Sequence, residues 1–335
     1  MDSWQPAPRD MAAVKRVANA LQAASSWLIV THERPDGDAL GSAFAMAHIL
    51  EALGKSWTFL VAEELPSRFH FLPWRTRARQ ITSADAGCFS HIVAVDCADE
   101  RRFAQVSAAF AEGAQVVNID HHQTNPRYGF ATYVDPEAAA TCELIYHIAQ
   151  QFQVPMHTDL AVCLYTGILT DTGGFCYPST TSSVHQIAAQ LIACGVRPYD
   201  VAEATLESRS RAQMTLLQMA LKNLSISADG RYAFIFVDRQ MLSAAGANED
   251  DVEGLVEFAR SVDTVEIGVL LRERVDGTVK ASLRSKRHVD VAQIAALFDG
   301  GGHARAAGCE LSGPMAAARS RVEVAVKAAL EAVRR

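Results

Sequence analysis

The sequence predicts an α/β protein in two parts, a domain with a parallel sheet flanked by helices and a smaller α/β domain, joined through a helical stretch. Three observations carry this. The first half alternates short β-rich apolar runs with runs that are apolar at helical spacing, the pattern of a parallel sheet covered by helices. That alternation stops before Leu206, and a different order of strands and helices starts at Tyr232. Finally, 335 residues are more than one hydrophobic core comfortably organises.

In chain order, a polar stretch, Met1–Arg9 with Pro6 and Pro8, precedes a helix expected over Met11–Ala24. Strands are expected at Trp27–Thr31, Trp57–Val61, Ile92–Val95 and Val116–Ile119, with helices at Ala39–Leu53 and Arg101–Phe110 between them. A helical run at Asp159–Leu169 leads into a Gly- and Thr-rich turn, Thr170–Thr181, and two further helices. In Leu206–Leu224 the apolar periodicity continues without strands, which reads as a connecting helix. From Tyr232 the order is strand Tyr232–Val237, helix Val252–Val262, strands Val265–Leu271 and Val279–Leu283, helix Val291–Phe298, a glycine run and a terminal helix. The borders are therefore set at 1–196 for the first domain, 197–224 for the linker and 225–335 for the second.

Composition excludes several classes. Hydrophobic content of 49% with 21% charged residues fits a folded protein rather than a disordered or fibrous one. Lys15 and Arg16 interrupt the first helix, so it neither spans a membrane nor forms a signal h-region; no membrane partner is expected. The seven cysteines, Cys88, Cys97, Cys142, Cys163, Cys176, Cys194 and Cys309, are odd in number and scattered. They read as buried small apolar residues in a reducing cytoplasm. A net charge of −7 argues against binding long duplex nucleic acid, where many phosphates must be neutralised at once. It leaves room for a short nucleotide in one basic pocket.

Each strand of the first half ends at a polar cluster: Thr31-His32, Asp96, and Asp120-His121-His122. In open α/β sheets ligands bind outside the carboxyl ends of the strands, so these clusters should converge on one crevice. The loop His32-Glu33-Arg34-Pro35-Asp36-Gly37-Asp38 places a histidine and two carboxylates within seven residues, with Pro35 and Gly37 turning the chain between them. Taken alone it reads equally as a turn with Asp38 as a helix N-cap. Asp96 has a cap as its bland alternative too. Two histidines directly after a strand are harder to explain by folding, and Asp171 adds an acid at a helix end, with Gly173 and Gly174 beside it.

These motifs resemble the DHH phosphoesterases, a family named for the triplet seen here at Asp120-His121-His122. The match runs in order over His-x-x-x-Asp-Gly-Asp, Asp96, the triplet and Asp171. The second half resembles the DHHA1 module through Ser282-Leu283-Arg284-Ser285 and Gly300-Gly301-Gly302-His303-x-x-Ala306-Ala307-Gly308. Within the family the chain looks most like the short oligoribonuclease and pAp phosphatase subgroup. The resemblance implies that His32 and Asp36 hold one ion, that Asp38, His121 and Asp171 hold another, and that Asp96 bridges them. It makes Asp96 and His122 the catalytic pair, with His122 a phosphate donor or proton relay. It assigns Arg284, Gly301, Gly302 and His303, with His122, to substrate phosphate or nucleotide recognition across an interdomain cleft, Arg forking onto phosphate and the glycine run baring backbone N–H groups. Asp120 is expected to orient a ligand histidine from behind.

Four carboxylates and two imidazoles form a mixed hard and borderline set that suits two Mn2+, with Mg2+ or Co2+ as alternates. Two such ions about 3.5–4 Å apart can activate water and clamp an in-line displacement at phosphorus. The expected substrates are short oligoribonucleotides cut to 5′-mononucleotides, pAp, and linear or cyclic dinucleotides; a homodimer is one allowed assembly. The alternatives are an inorganic pyrophosphatase, against which the Arg284 and Gly302-His303 blocks count, and a non-catalytic nucleotide sensor, which should have lost ligands. A long-strand exonuclease would need further domains. Arg287, Asp299 and Cys176 depart from the family pattern, which often has glycine at the first two and a basic residue near the third, so they bear on substrate preference.

Overall fold

A computed structural model describes residues 8–333, so most of the expected polar stretch 1–9 lies outside the described residues. The chain divides into two units, the first ending at Ser208 and the second starting at Arg209. The first unit holds strands β1 (Ser26–Val30), β2 (Ser56–Val61), β3 (Ala78–Gln80), β4 (Phe89–Val95), β5 (Phe110–Asp120) and β6 (Ala131–Val134). Its helices are α1 (Met11–Ala23), α2 (Gly37–Ala52), α3 (Thr141–Gln151), α4 (Thr158–Asp171), α5 (Ser182–Ala193) and α6 (Pro198–Ala202). The strands pair in parallel in the order β3-β2-β1-β4-β5-β6.

Both faces of this sheet are covered, which is why its strands read as unbroken apolar runs. Trp27, Ile29, Phe59, Val93, Val117 and Ile119 face a core built with α1 to α5. Their neighbours Leu28, Val30, Leu60, Ile92 and Ala94 face Phe103, Val106 and Ala109 on the other side. Those three residues belong to the segment expected as a helix over Arg101–Phe110. It is instead a 3-10 run, Glu100–Ala109, broken where Phe103 leaves helical torsion angles as its ring is buried. The short strands β3 and β6 have no counterpart in the sequence reading. Three and four residues long, each is ordered by pairing with a longer neighbour, β2 and β5 respectively.

The stretch expected as one connecting helix is a π-helical turn, Glu203–Glu207, an extended break, and α7 (Arg211–Lys222). Ser210 and Gln213 form a capping box that starts α7 afresh. Leu216, Leu217 and Ala220 then pack into the core of the second unit.

That unit continues with β7 (Ser225–Ile226), β8 (Tyr232–Val237), α8 (Arg239–Ala245), α9 (Leu255–Ser261), β9 (Ile267–Glu273), β10 (Val279–Ser285), α10 (Val291–Ala296), β11 (Gly301–His303), β12 (Ala306–Leu311) and α11 (Met315–Ala332). Its sheet runs β11-β12-β10-β9-β8-β7, antiparallel except where β8 meets β9. One face packs on α10 and α11, the other on α7 to α9.

The expectation that all seven cysteines are buried is corrected. Cys88 and Cys176 are exposed and Cys194 is half-buried, so only Cys97, Cys142, Cys163 and Cys309 act as buried apolar residues. The glycine run is an edge strand as well as a turn: Gly301, Gly302 and His303 pair with Gly308, Ala307 and Ala306. Among the described residues no helix is long and apolar enough to cross a membrane.

Candidate metal centre

The strand order reverses direction between β1 and β4, the place where open α/β sheets gather their ligands. His32 follows β1, Asp96 follows β4 and His121 follows β5. Asp36 and Asp38 open α2, and Asp171 closes α4, which packs along α2. Gly167, one turn before Asp171, makes that packing close: a Cβ there would strike Cys142 Sγ and Asp38 Oδ1.

All six residues expected as ligands come together, in three overlapping groups. His32, Asp36 and Asp96 form one, Asp38, His121 and Asp171 a second, and Asp96, His121 and His122 a third; within each group the ligand atoms lie within 4.8 Å of one another. His32 Nε2 is 3.9 Å from Asp36 Oδ1 and 3.5 Å from Asp96 Oδ2. His121 Nε2 is 3.2 Å from Asp171 Oδ2, 3.7 Å from Asp96 Oδ1 and 3.9 Å from Asp38 Oδ2. Asp96 thus turns one oxygen to each histidine.

The imidazoles are aimed from behind. His32 Nδ1 lies 2.7 Å from the Glu33 carbonyl and His121 Nδ1 lies 3.3 Å from the Ala138 carbonyl. A ring that donates through Nδ1 keeps Nε2 as the ligand atom. Asp120 was expected to orient a ligand histidine; it serves His122 instead, with Oδ1 2.7 Å from Nδ1. The reason is reach, since His121 turns its Nδ1 to the loop before α3. Asp120 is held in turn by Asn125 Nδ2, which donates to its Oδ2 at 2.6 Å and to Asn118 Oδ1 at 2.9 Å.

The capping alternatives resolve. The side chain that caps α2 is Asp36, whose Oδ1 accepts from the N–H groups of Asp38 and Ala39, rather than Asp38. Asp38 is fully buried and accepts from two backbone N–H groups of α3 instead, Thr141 to Oδ2 at 2.6 Å and Cys142 to Oδ1 at 2.9 Å. The segment after Asp96 is capped by Asp99, which leaves the Asp96 carboxylate for the cluster.

The electrostatics fit a cation. Burial, then the charges of Asp96 and Asp171, push the Asp38 carboxyl well above the usual carboxylate range. Burial also raises Asp171, against the pull of His121. For His32 burial works the other way, yet Asp36 and Asp96 hold it up at about 10. His121 is likewise raised against burial, by Asp171 first. Asp36 and Asp96 are instead held below that range despite burial, each with a hydrogen bond to His32 as the leading favourable cause. The four carboxylates thus divide into a low pair and a high pair, and a cation would stabilise the charged form of the high pair. The donor set of carboxylate oxygens and imidazole nitrogens suits Mn2+ and its neighbours.

In the second unit, Arg284 is the next-to-last residue of β10 and donates through Nε to Glu257 Oε1 at 3.2 Å and through an Nη to its neighbour's carbonyl, that of Leu283. Asp299 adopts a left-handed φ of 57° just before the glycine run, a torsion Asp tolerates better than most residues. Arg287 and His303 are exposed.

Four residues near the cage escaped sequence reasoning. Asn118 and Asn125 left a faint signal, amides at either end of the triplet, one of them inside an apolar strand. Thr141 left none, and Gly167 showed only as one of the glycines flanking Asp171, because their partners lie far away in sequence.

Residues 26–168 match the DHH family, N-terminal domain, and residues 229–335 match the DHHA1 domain. The chain is 36% identical to the bifunctional oligoribonuclease and PAP phosphatase NrnA of Thermus thermophilus, over 93% of each chain. The fold matches a crystal structure of an exopolyphosphatase-related protein from Bacteroides fragilis with a TM-score of 0.87 and 26% identity, covering 97% of this chain and 98% of that one. A probable manganese-dependent inorganic pyrophosphatase of Streptococcus equi is 25% identical over 61% of this chain and 68% of its own.

Proposed function

The chain belongs to the DHH family and carries a DHHA1 domain, and from that premise we propose that it is a metal-dependent phosphoesterase of short nucleotides. It hydrolyses short oligoribonucleotides to 5′-mononucleotides and removes the 3′-phosphate of pAp, the pair of activities in the name of its Thermus thermophilus relative. One observation supports this reading: Asp96 and His121 are shared between candidate ligand groups, so the three groups form a single connected cage.

In the proposed assignment His32 and Asp36 would hold one ion, Asp38, His121 and Asp171 would hold the other, and Asp96 would serve both. When bound, the ions supply Lewis-acid stabilisation of charge at phosphorus and lower the pKa of the attacking water. His122, its Nδ1 engaged by Asp120, meets the substrate through Nε2, donating to a phosphate oxygen or passing a proton to the leaving group. Arg284 and the backbone of β11 recognise a phosphate or nucleotide away from the scissile bond. Mn2+ is the preferred ion, with Mg2+ or Co2+ as substitutes, and the cytoplasm is the setting.

The likeness to the pyrophosphatase covers a smaller share of the chain, which ranks that activity below. The test is one assay panel in Mn2+ and in Mg2+, with pApA, pAp, cyclic di-AMP and pyrophosphate as substrates. Turnover of pApA and pAp, faster in Mn2+, is the expected result. Turnover of pyrophosphate alone would overturn the reading. Metal uptake without turnover of any substrate would point to a sensor.

A further inference from the structure

We propose that Thr141 is a positioning residue that sets Asp96 as the bridge of the cage, an inference that rests on the two-ion reading above. Asp96 has a backbone φ of 56°, and its N–H is tied to the Ile119 carbonyl at 3.0 Å. The main chain is thereby held, but the carboxylate can still rotate. Its use as a bridge requires Oδ2 toward His32 and Oδ1 toward His121. The Thr141 hydroxyl donates to Oδ1 at 3.0 Å from the opposite side of the crevice, 45 residues away in sequence. Both residues are buried, with exposures of 2% for Asp96 and 0% for Thr141.

Thr141 is itself placed by the other ligand group. It opens α3, whose N-cap, Ala140, has no side chain able to cap. Asp38 fills that role across the crevice, accepting the Thr141 and Cys142 N–H groups. The first turn of α3 thus grips Asp38 by its backbone and Asp96 by one hydroxyl. From the same first turn, Glu143 Oε2 accepts the Ala139 N–H at 2.8 Å and steadies the preceding loop, whose Ala138 carbonyl faces His121. Removing the hydroxyl leaves the backbone grip on Asp38 intact, so the effect should fall on the bridge.

The experiment titrates metal-stripped protein with Mn2+, reading binding by calorimetry and ion–ion coupling by electron paramagnetic resonance. The wild type should take up two ions with a coupled signal. Thr141→Val, which keeps the branched shape, should bind the second ion about 10- to 100-fold more weakly, as expected when a partner behind a metal ligand is lost. Its coupled signal should fade, and kcat on pApA should drop by about 10- to 100-fold with KM little changed. Thr141→Ser should restore both readouts, because it returns the hydroxyl without the methyl. Thr141→Ala is a second deletion of the hydroxyl and carries the test if Thr141→Val does not fold. Wild-type affinity and coupling in the hydroxyl-less variants would overturn the proposal, as would a Thr141→Ser protein no better than they are. A wild type that takes up no Mn2+ would overturn the metal reading, and the role of Thr141 with it.

Discussion

Gly167→Ala is expected to destabilise the first unit and weaken its cage, against what helix propensity alone predicts. Gly167 lies inside α4, where alanine should be better by about 0.5–1 kcal/mol. The added methyl, however, would sit well inside van der Waals contact with Cys142 Sγ and Asp38 Oδ1. Neither atom can step aside cheaply. Asp38 is held by two N–H groups, and Cys142 Sγ is 3.3 Å from the buried Ser42 hydroxyl. Overpacking of this kind costs about 1–3 kcal/mol, and disturbing a hydrogen bond to a charged group adds about 1.5–3 kcal/mol. After the propensity gain, a net loss of about 1.5–5.5 kcal/mol remains. For a unit of this size that lowers Tm by about 3–20 °C. Thermal melting of the metal-stripped protein measures the first effect, and Mn2+ titration measures the displaced ligand, with affinity down by about tenfold or more. A variant that melts at or above the wild-type Tm and binds Mn2+ normally would refute the idea that close α2–α4 packing seats Asp38.

Asp171→Ala should keep the ion held by His32 and Asp36 and lose most of the other, with turnover nearly abolished; elemental analysis showing two ions retained would remove Asp171 from the ligand set. Arg284→Ala should leave metal content unchanged and raise KM for pApA by about 10- to 100-fold, the equivalent of a charged hydrogen bond of about 1.5–3 kcal/mol, while bis-p-nitrophenyl phosphate is cleaved almost as before. Equal damage to both substrates would place Arg284 at the reacting phosphate or in the fold. Acid should weaken the first unit through His48 and His147, both buried and both held by burial at about 4. Each is neutral when folded, so below an unfolded pKa near 6.5 the unfolded chain takes up a proton that the folded chain refuses. Stability is then full above about pH 6.5 and falls toward pH 4, by about 1–2 kcal/mol per histidine at pH 5. In urea melts, His147→Gln should flatten the loss between pH 7 and pH 5; an unchanged slope would exclude the mechanism.

Much of the site was legible in the sequence, because polar clusters at the carboxyl ends of strands are announced locally. An apolar run that ends in His32, Asp96 or Asp120-His121-His122 states both the strand and the polar group placed at its end. The Arg284 strand and the expected second-unit helices were legible for the same reason, since each carries its own apolar periodicity. Helix at Arg101–Phe110 was not, because the burial of Phe103 outweighs the local pattern and breaks the segment into 3-10 turns. Nor were β3 and β6, or the pairing of the glycine run as β11, whose order comes from neighbouring strands rather than from their own few residues.

The roles within the cage divide along the same line. Sequence alone singled out the side chains that gather there, through polar clusters at the strand ends and the resemblance they carry, and the structure brings those candidates together. Only the tertiary structure decided how they are held. Asp38 became the cap of a helix more than 100 residues away, Ala138 rather than Asp120 came to face His121, and Thr141 came to turn Asp96. Such contacts depend on how closely α2, α3 and α4 pack, and that spacing needs the absence of methyl groups at Gly37, Gly41 and Gly167, whose meaning appears only once their neighbours are in place.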